Sequence, residues 1–421
     1  MSVDATSRWT PRQVVGVGPF RLLLGVTFLD VTADSMWYLM LGWVAASASN
    51  GLVTGVILAA AAIPQVAFIL VGGLHTDKYG AGTIVRRTTP IRLALFLLWS
   101  VIAIVALDVT RFVAIIAVSL LVGAVAGFHD SAMSTYPTEY LVPAARGTAV
   151  SVERVAMRAA QAAGGFLGGL LLGGGGVSAP TVGAAACLLI VALLLSRLRH
   201  HARIPDAPMP EGEEAPELTI RAGFDFVRRH PVLSATIPAQ GVVNLVNGGA
   251  LMALLPIKAH RMGWGAGDYG AAIGSAGLGI TLGTVLSLTL TRLSTRARTL
   301  LGISLTIITC LAVSTIGIAD SRAAAATTAF VIGLAVGPVG PLLTGYAREQ
   351  TPAALVGRVM SILGLVTVGI EPLGSLLTGG LVAAIDVDPA AMALGLAGAA
   401  ICAISLVRLL PRRKFTAART H

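Results

Sequence analysis

Arg199-His-His-Ala-Arg-Ile-Pro-Asp-Ala-Pro-Met-Pro-Glu-Gly-Glu-Glu-Ala-Pro-Glu217 interrupts an otherwise apolar chain of 421 residues. Its four prolines and the cluster Glu211, Glu213, Glu214 and Glu217 read as a flexible linker. Leu218-Thr-Ile-Arg-Ala-Gly-Phe-Asp-Phe-Val-Arg-Arg-His230 follows, with apolar residues able to share one helical face, as in a helix lying on a membrane surface. On either side of this break lie six long apolar runs.

The first six cover 20–46, 51–75, 90–108, 112–136, 146–174 and 179–198; the last six cover 231–257, 268–291, 299–319, 323–346, 356–384 and 389–410. Spanning a bilayer takes about 20 mostly apolar residues per helix. Backbone groups in lipid must satisfy one another, so the runs are expected to be helices. The spacing predicts an all-α membrane protein of twelve transmembrane helices in two six-helix bundles, 1–198 and 231–421, joined by a linker with an amphipathic helix at 199–230. Residues are 55% hydrophobic and 12% charged, against roughly 25% charged in soluble domains, which excludes an ordinary soluble enzyme.

The net charge of +10 collects at the ends of apolar runs rather than in a nucleic-acid footprint. Arg8, Arg12, Arg21, Lys78, Arg86, Arg87, Arg92, Arg146, Arg348, Arg358 and the basic tail fall on one side; Arg111, Lys258, Arg261 and Arg322 fall on the other. The bias predicts cytoplasmic N and C termini. The first run is too long for a signal-peptide core and reads as a retained helix. Cys187, Cys310 and Cys402 each sit inside an apolar run, suggesting neither disulfides nor a metal site. No cofactor is expected, and without a nucleotide-binding loop the energy source should be an ion gradient. An Arg-rich, Lys-poor composition points to a bacterial plasma (inner) membrane.

An internal repeat supports the division. Arg146-Gly147 precedes Gly164-Gly165-Phe166-Leu167-Gly168-Gly169, and Gly357-Arg358 precedes Pro372-Leu373-Gly374 and Gly379-Gly380 at similar spacing. Repeated halves with a site between them are how many secondary transporters alternate access.

Gly72-Gly-Leu-His-Thr-Asp-Lys-Tyr-Gly80 resembles the motif between the second and third helices of the major facilitator superfamily, with His75 where an apolar residue is usual. Gly164 to Gly169 resembles the antiporter motif of the fifth helix, with Gly165 where proline is typical. Asp34 before an aromatic pair, Gly223-Phe-Asp-Phe-Val-Arg-Arg-His-Pro231 and Gln350-Thr-Pro before Gly357-Arg-Val are similar to the drug:proton antiporter group that includes macrolide efflux pumps and the enterobactin exporter. The resemblance implies a proton-coupled exporter of a drug-like or natural-product molecule. The alternative is uptake or exchange of a small metabolite. A non-transporting scaffold is opposed by the repeated halves and the intramembrane charges.

Charges inside a bilayer are costly and mark function by default. Asp30 and Asp34 share a face of the first helix, and Arg154 and Arg158 share one on the fifth. At about 1.5 Å per residue, Asp34, Arg158 and Glu371 fall near the midplane, with Asp30 and Arg154 one turn nearer the cytoplasm. The register predicts a two-rung ion-pair ladder between the first and fifth helices, either structural or proton-carrying. Glu371 lacks a base within its own half, and low dielectric penalises its charged form, making it the sharper proton-coupling candidate.

Gly73, Asp77, Lys78, Gly80, Asp130 and Arg86 are expected to form a cytoplasmic gate. His75 and His129 read as satisfied structural histidines. If the family architecture holds, substrate contacts come from Trp37, Tyr38, Phe128, Tyr136, Gln240, Asn244 and Asn247. Such a lining suits a moderately hydrophobic molecule that can carry positive charge. The expected partners are this substrate, protons and the lipid bilayer, with no nucleic acid, and the protein is expected to act as a monomer.

Overall fold

A computed structural model describes residues 9–48, 50–105, 108–198, 220–290, 293–367 and 369–409. The linker 199–219 and the basic tail beyond Leu409 therefore lie outside the described residues.

In the first half the long helices are α1 (Gly18–Ala46), α2 (Gly51–Tyr79), α3 (Ala81–Val105), α4 (Asp108–Met133), α5 (Pro143–Gly175) and α6 (Ala179–Leu198). In the second they are α7 (Leu233–Arg261), α8 (Ala266–Leu290), α9 (Thr295–Thr315), α10 (Arg322–Gln350), α11 in two parts (Ala353–Thr367 and Glu371–Ile385) and α12 (Val387–Leu409). Among the described residues, twelve spans are long and apolar enough to cross a membrane. Polar caps begin several of them: Asn50 accepts from the Leu52 amide, Ser294 from Ala297 and Ser321 from Ala324. Gly80, at φ 79°, closes α2 in a conformation that side chains rarely adopt, which explains the glycine ending that motif.

Two helices differ from the expected runs. α3 begins at Ala81, not near 90, because Arg86, Arg87 and Pro90 depress the apolar signal over two turns that are nonetheless helical. α11 breaks between Thr367 and Glu371, at Gly369-Ile370. α7 contains a π-helical turn over Ala250–Leu254. Such turns inside α-helices frequently fall at functional sites. The amphipathic segment forms the helix Ile220–Arg229, burying Val227 against Leu233, Tyr346 and Val359 while Phe224 stays exposed.

Within the first half, α1 packs on α5 and α6, and α4 on α2 and α3; within the second, α8 packs on α10, and α9 on α10 and α12. With twelve spans, α1 starts and α12 finishes at one end, the near end. The two halves pack through α5 on α8 and through α2 on Glu371–Ile385. Gly165 meets Ile273 and Gly274, Gly169 meets Gly270, and Gly173 meets Gly267; Gly51 and Gly55 meet Gly379. Trp43 stacks on Tyr269 at 5.8 Å, and its carbonyl lies 3.1 Å from His260 Nε2. These contacts lie toward the far end. Small residues let the helix backbones approach closely there.

Candidate functional site

Near the middle of the first half lies a buried charge cluster. Arg92 on α3 is fully buried, and its Nη1 donates to Asp30 Oδ1 at 2.7 Å while its Nη2 donates to Asp34 Oδ1. His129 on α4 places Nε2 3.0 Å from Asp30 Oδ2 and Nδ1 2.8 Å from the Thr88 hydroxyl. One guanidinium is thus shared by two carboxylates, with a histidine closing the far side of one of them.

This corrects the expected ladder. Asp30 and Asp34 pair with Arg92, not with Arg154 and Arg158. The earlier start of α3 carries Arg92 about 18 Å along the helix from Gly80, well into the membrane rather than at its edge. The same depth arithmetic, applied from Gly80, was the signal that could have found it. His129 has the satisfied role the sequence suggested.

A second polar path leaves α1 at Tyr38, which is part-exposed. Tyr38 donates its hydroxyl proton to Gln65 Oε1, and Gln65 Nε2 donates to Asp130 Oδ2, both at 2.7 Å. Gln65 had no signal beyond being a polar residue in an apolar run. Asp130 also lines a cavity of about 360 Å³ with Gly73 and Asp77, between α2 and α4. Of the remaining gate candidates, Lys78 lies over the Tyr79 ring at 5.2 Å, and Arg86 donates to the Tyr136 hydroxyl at 3.4 Å.

Arg154, Arg158 and Glu371 are exposed, and Arg158 and Glu371 sense each other's charge across the two halves. The Glu371 side chain lies against Gly248 of α7, beside the π-helical turn and at the first residue after the α11 break. Arg158 donates to Gln161 Oε1 at 2.8 Å. Arg154 and Arg158 stand on α5 and Glu371 on α11, in opposite halves and on the near side of the contacts that join them.

The expected substrate contacts divide. Tyr38 and Asn247 are part-exposed, whereas Gln240 is buried; Gln240 Oε1 and Asn247 Oδ1 are buried acceptors with no donor among the described residues. Asn244 turns back to donate to the Gln240 carbonyl at 2.7 Å. Phe128 stacks on Phe68 at 5.4 Å. Trp37 and Tyr136 correct the expectation: both are fully buried, Trp37 stacked on Phe96 at 5.2 Å and Tyr136 against Tyr140. Every face of α1 is apolar enough for core or lipid, so its sequence could not show which face Trp37 takes. Two further ionisable groups were placed wrongly or missed. Lys258, expected in an outer loop, is buried with Nζ 2.7 Å from Asp388 Oδ1, and Glu153 is buried on α5.

Twelve helices able to span a membrane, in two halves that both carry ionisable groups within their spans, define a multi-pass membrane transporter of a small molecule. The Major Facilitator Superfamily model matches residues 22–370, and the chain belongs to that superfamily. Among solved structures, the nucleoside transporter NupG is similar with a TM-score of 0.72 at 14% identity, over 94% of this chain and 100% of that one. An auto-inhibited peptide transporter of the POT family is similar with a TM-score of 0.69 at 15% identity, over 96% and 99%. The POT family transporter PepTSo is similar with a TM-score of 0.67 at 12% identity, over 95% and 99%. At these identities the likeness is one of fold. No curated protein matches the chain in sequence.

Proposed function

We propose that the protein is a proton-coupled exporter of a small drug-like or natural-product molecule, working by alternating access. One observation carries the reading. The halves meet toward the far end, while Glu371 and Arg158 are exposed on the near side of those contacts, an opening we read as a crevice between the halves. Rocking about the α5–α8 and α2–α11 seams would exchange the open end. The distribution of Lys and Arg makes the near end cytoplasmic, so this conformation faces inward.

Under this reading Glu371 binds a proton in one conformation and releases it in the other. Asp34, its side chain 25% exposed, sits where a proton can reach it, and Arg92 stays held by Asp30 when Asp34 is neutral. Gly73, Asp77 and Asp130 act at the inner gate, and the protein works as a monomer in a bacterial plasma membrane.

Export is favoured by the motif resemblance to drug:proton antiporters. Uptake or exchange of a metabolite is the second reading, favoured by the fold shared with a nucleoside transporter and two POT family transporters, one of them a peptide transporter. A compound panel against cells lacking or overproducing the protein, with and without a protonophore, separates them. Resistance that collapses with the protonophore supports export; improved growth on a scarce nutrient supports import. In proteoliposomes E371Q should transport without responding to a pH gradient. A response equal to that of the parent removes Glu371 from coupling.

A further inference from the structure

The stripe of α5 that packs on α8 runs through Ala162, Gly165, Gly169 and Gly173. Arg158 lies one helical turn nearer the near end on the same stripe, and Arg154 one turn further. Both side chains are exposed, and on α8 at the matching level Thr281 is half-buried and Val285 exposed. Among the described residues neither makes an ion pair, and the bond Arg158 makes is to the neutral amide of Gln161. The acids on the opposite wall are already engaged: Asp30 and Asp34 by Arg92, and Asp130 by Gln65. Glu371 is the acid whose charge Arg158 senses.

The seam has a regular antiparallel register, with Ala162 against Gly277, Gly165 against Ile273 and Gly274, and Gly169 against Gly270. Continued toward the near end, it brings Arg158 opposite Thr281 and Arg154 opposite Val285. Neither partner carries charge. Closing the near end therefore buries two guanidinium groups with Glu371 as the acid facing them, since Glu153, next to Arg154 in sequence, is buried on the α1 side of α5 against Thr27. Burying an unpaired charge opposes closure, whereas a guanidinium pairs with an oxyanion through two parallel hydrogen bonds.

From this juxtaposition we infer that Arg154 and Arg158 receive an oxyanion, a carboxylate or phosphate, on an amphipathic transported molecule, and that near-end closure waits for it. The inference rests on the crevice being the transport path. It departs from the cationic substrate that the acids and aromatic residues suggested, because the acids turn out to be occupied and the arginines free.

The test uses the full-length protein in detergent with T281C, labelled by a membrane-impermeant maleimide, the parent supplying the background from native cysteines. Fluorescein and rhodamine 6G are the probes, an anion and a cation on one ring frame. Fluorescein should slow T281C labelling and rhodamine 6G should not. R158Q or R154Q should weaken the fluorescein effect about tenfold, with R158K retaining part of it.

Without dye, R154Q/R158Q should label T281C several-fold more slowly, because nothing then resists closure. Protection by rhodamine 6G in place of fluorescein overturns the inference, and so does parent-rate labelling in the double variant. If neither dye protects, the double variant decides. If the double variant does not fold, the single variants carry the same comparison. Parent and E371Q proteins that both ignore a pH gradient would sink proton coupling and leave these outcomes untouched.

Discussion

Arg92 is fully buried between two carboxylates, so removing its charge strands Asp30 and Asp34 in low dielectric. Breaking one side of a buried pair costs about 3–5 kcal/mol. R92Q should lower the thermal midpoint of the detergent-solubilised protein sharply, and R92Q/D30N should recover part of it. No recovery would mean that Arg92 acts through packing rather than charge. At this scale the sequence was half legible. Asp30, Asp34 and Glu371 stood out as acids at membrane depth because an intramembrane charge is conspicuous against apolar neighbours. Their partners did not stand out, since pairing depends on which way each helix is turned.

Elements show a similar division between what is local and what is not. His230 caps α7, its Nδ1 accepting from the Val232 and Leu233 amides at 3.3 and 3.2 Å. Partial burial holds its imidazole below the ordinary histidine value. The folded value is depressed, so the cap is intact above the unfolded pKa of about 6.5 and is lost as pH falls through the folded value. H230A should cost about 1 kcal/mol near pH 8 and less below pH 5, read from thermal unfolding at both pH values.

The α5–α8 seam is the other element-scale device. A Cβ on Gly169 would collide with the backbone of Gly270. G169V should therefore part the halves at the far end and raise far-end thiol labelling, with helix content by circular dichroism unchanged. Unaltered labelling would show that the seam tolerates the added volume. Glycine clusters in α5 and α11 were visible in the sequence, but their partners on α8 and α2 were not. Neither the π-helical turn in α7 nor the break before Glu371 follows from hydropathy, which is blind to how a run's hydrogen bonds are arranged.

On the scale of the whole molecule, alternating access requires the far-end contacts to open. A Cβ on Gly51 would lie 2.9 Å from Val382 Cβ, close to the spacing a disulfide accepts after a small adjustment. G51C/V382C should cross-link spontaneously, abolish transport when oxidised and regain it on reduction. Transport undiminished by the cross-link would mean that the halves do not separate at this end.

The sequence by itself determined the number of spans, the break after the sixth and the family motifs. Each of these is a property of position along the chain, and a bilayer converts position into depth at a fixed rise per residue. Tertiary structure decided that Arg92 rather than Arg158 neutralises the first-helix acids, that Trp37 and Tyr136 are core, and that α5 leaves its arginines open. Those outcomes depend on rotation and contact between helices far apart in sequence. In a membrane both the lipid face and the protein face of a helix are apolar, so amphipathic pattern carries little of that information.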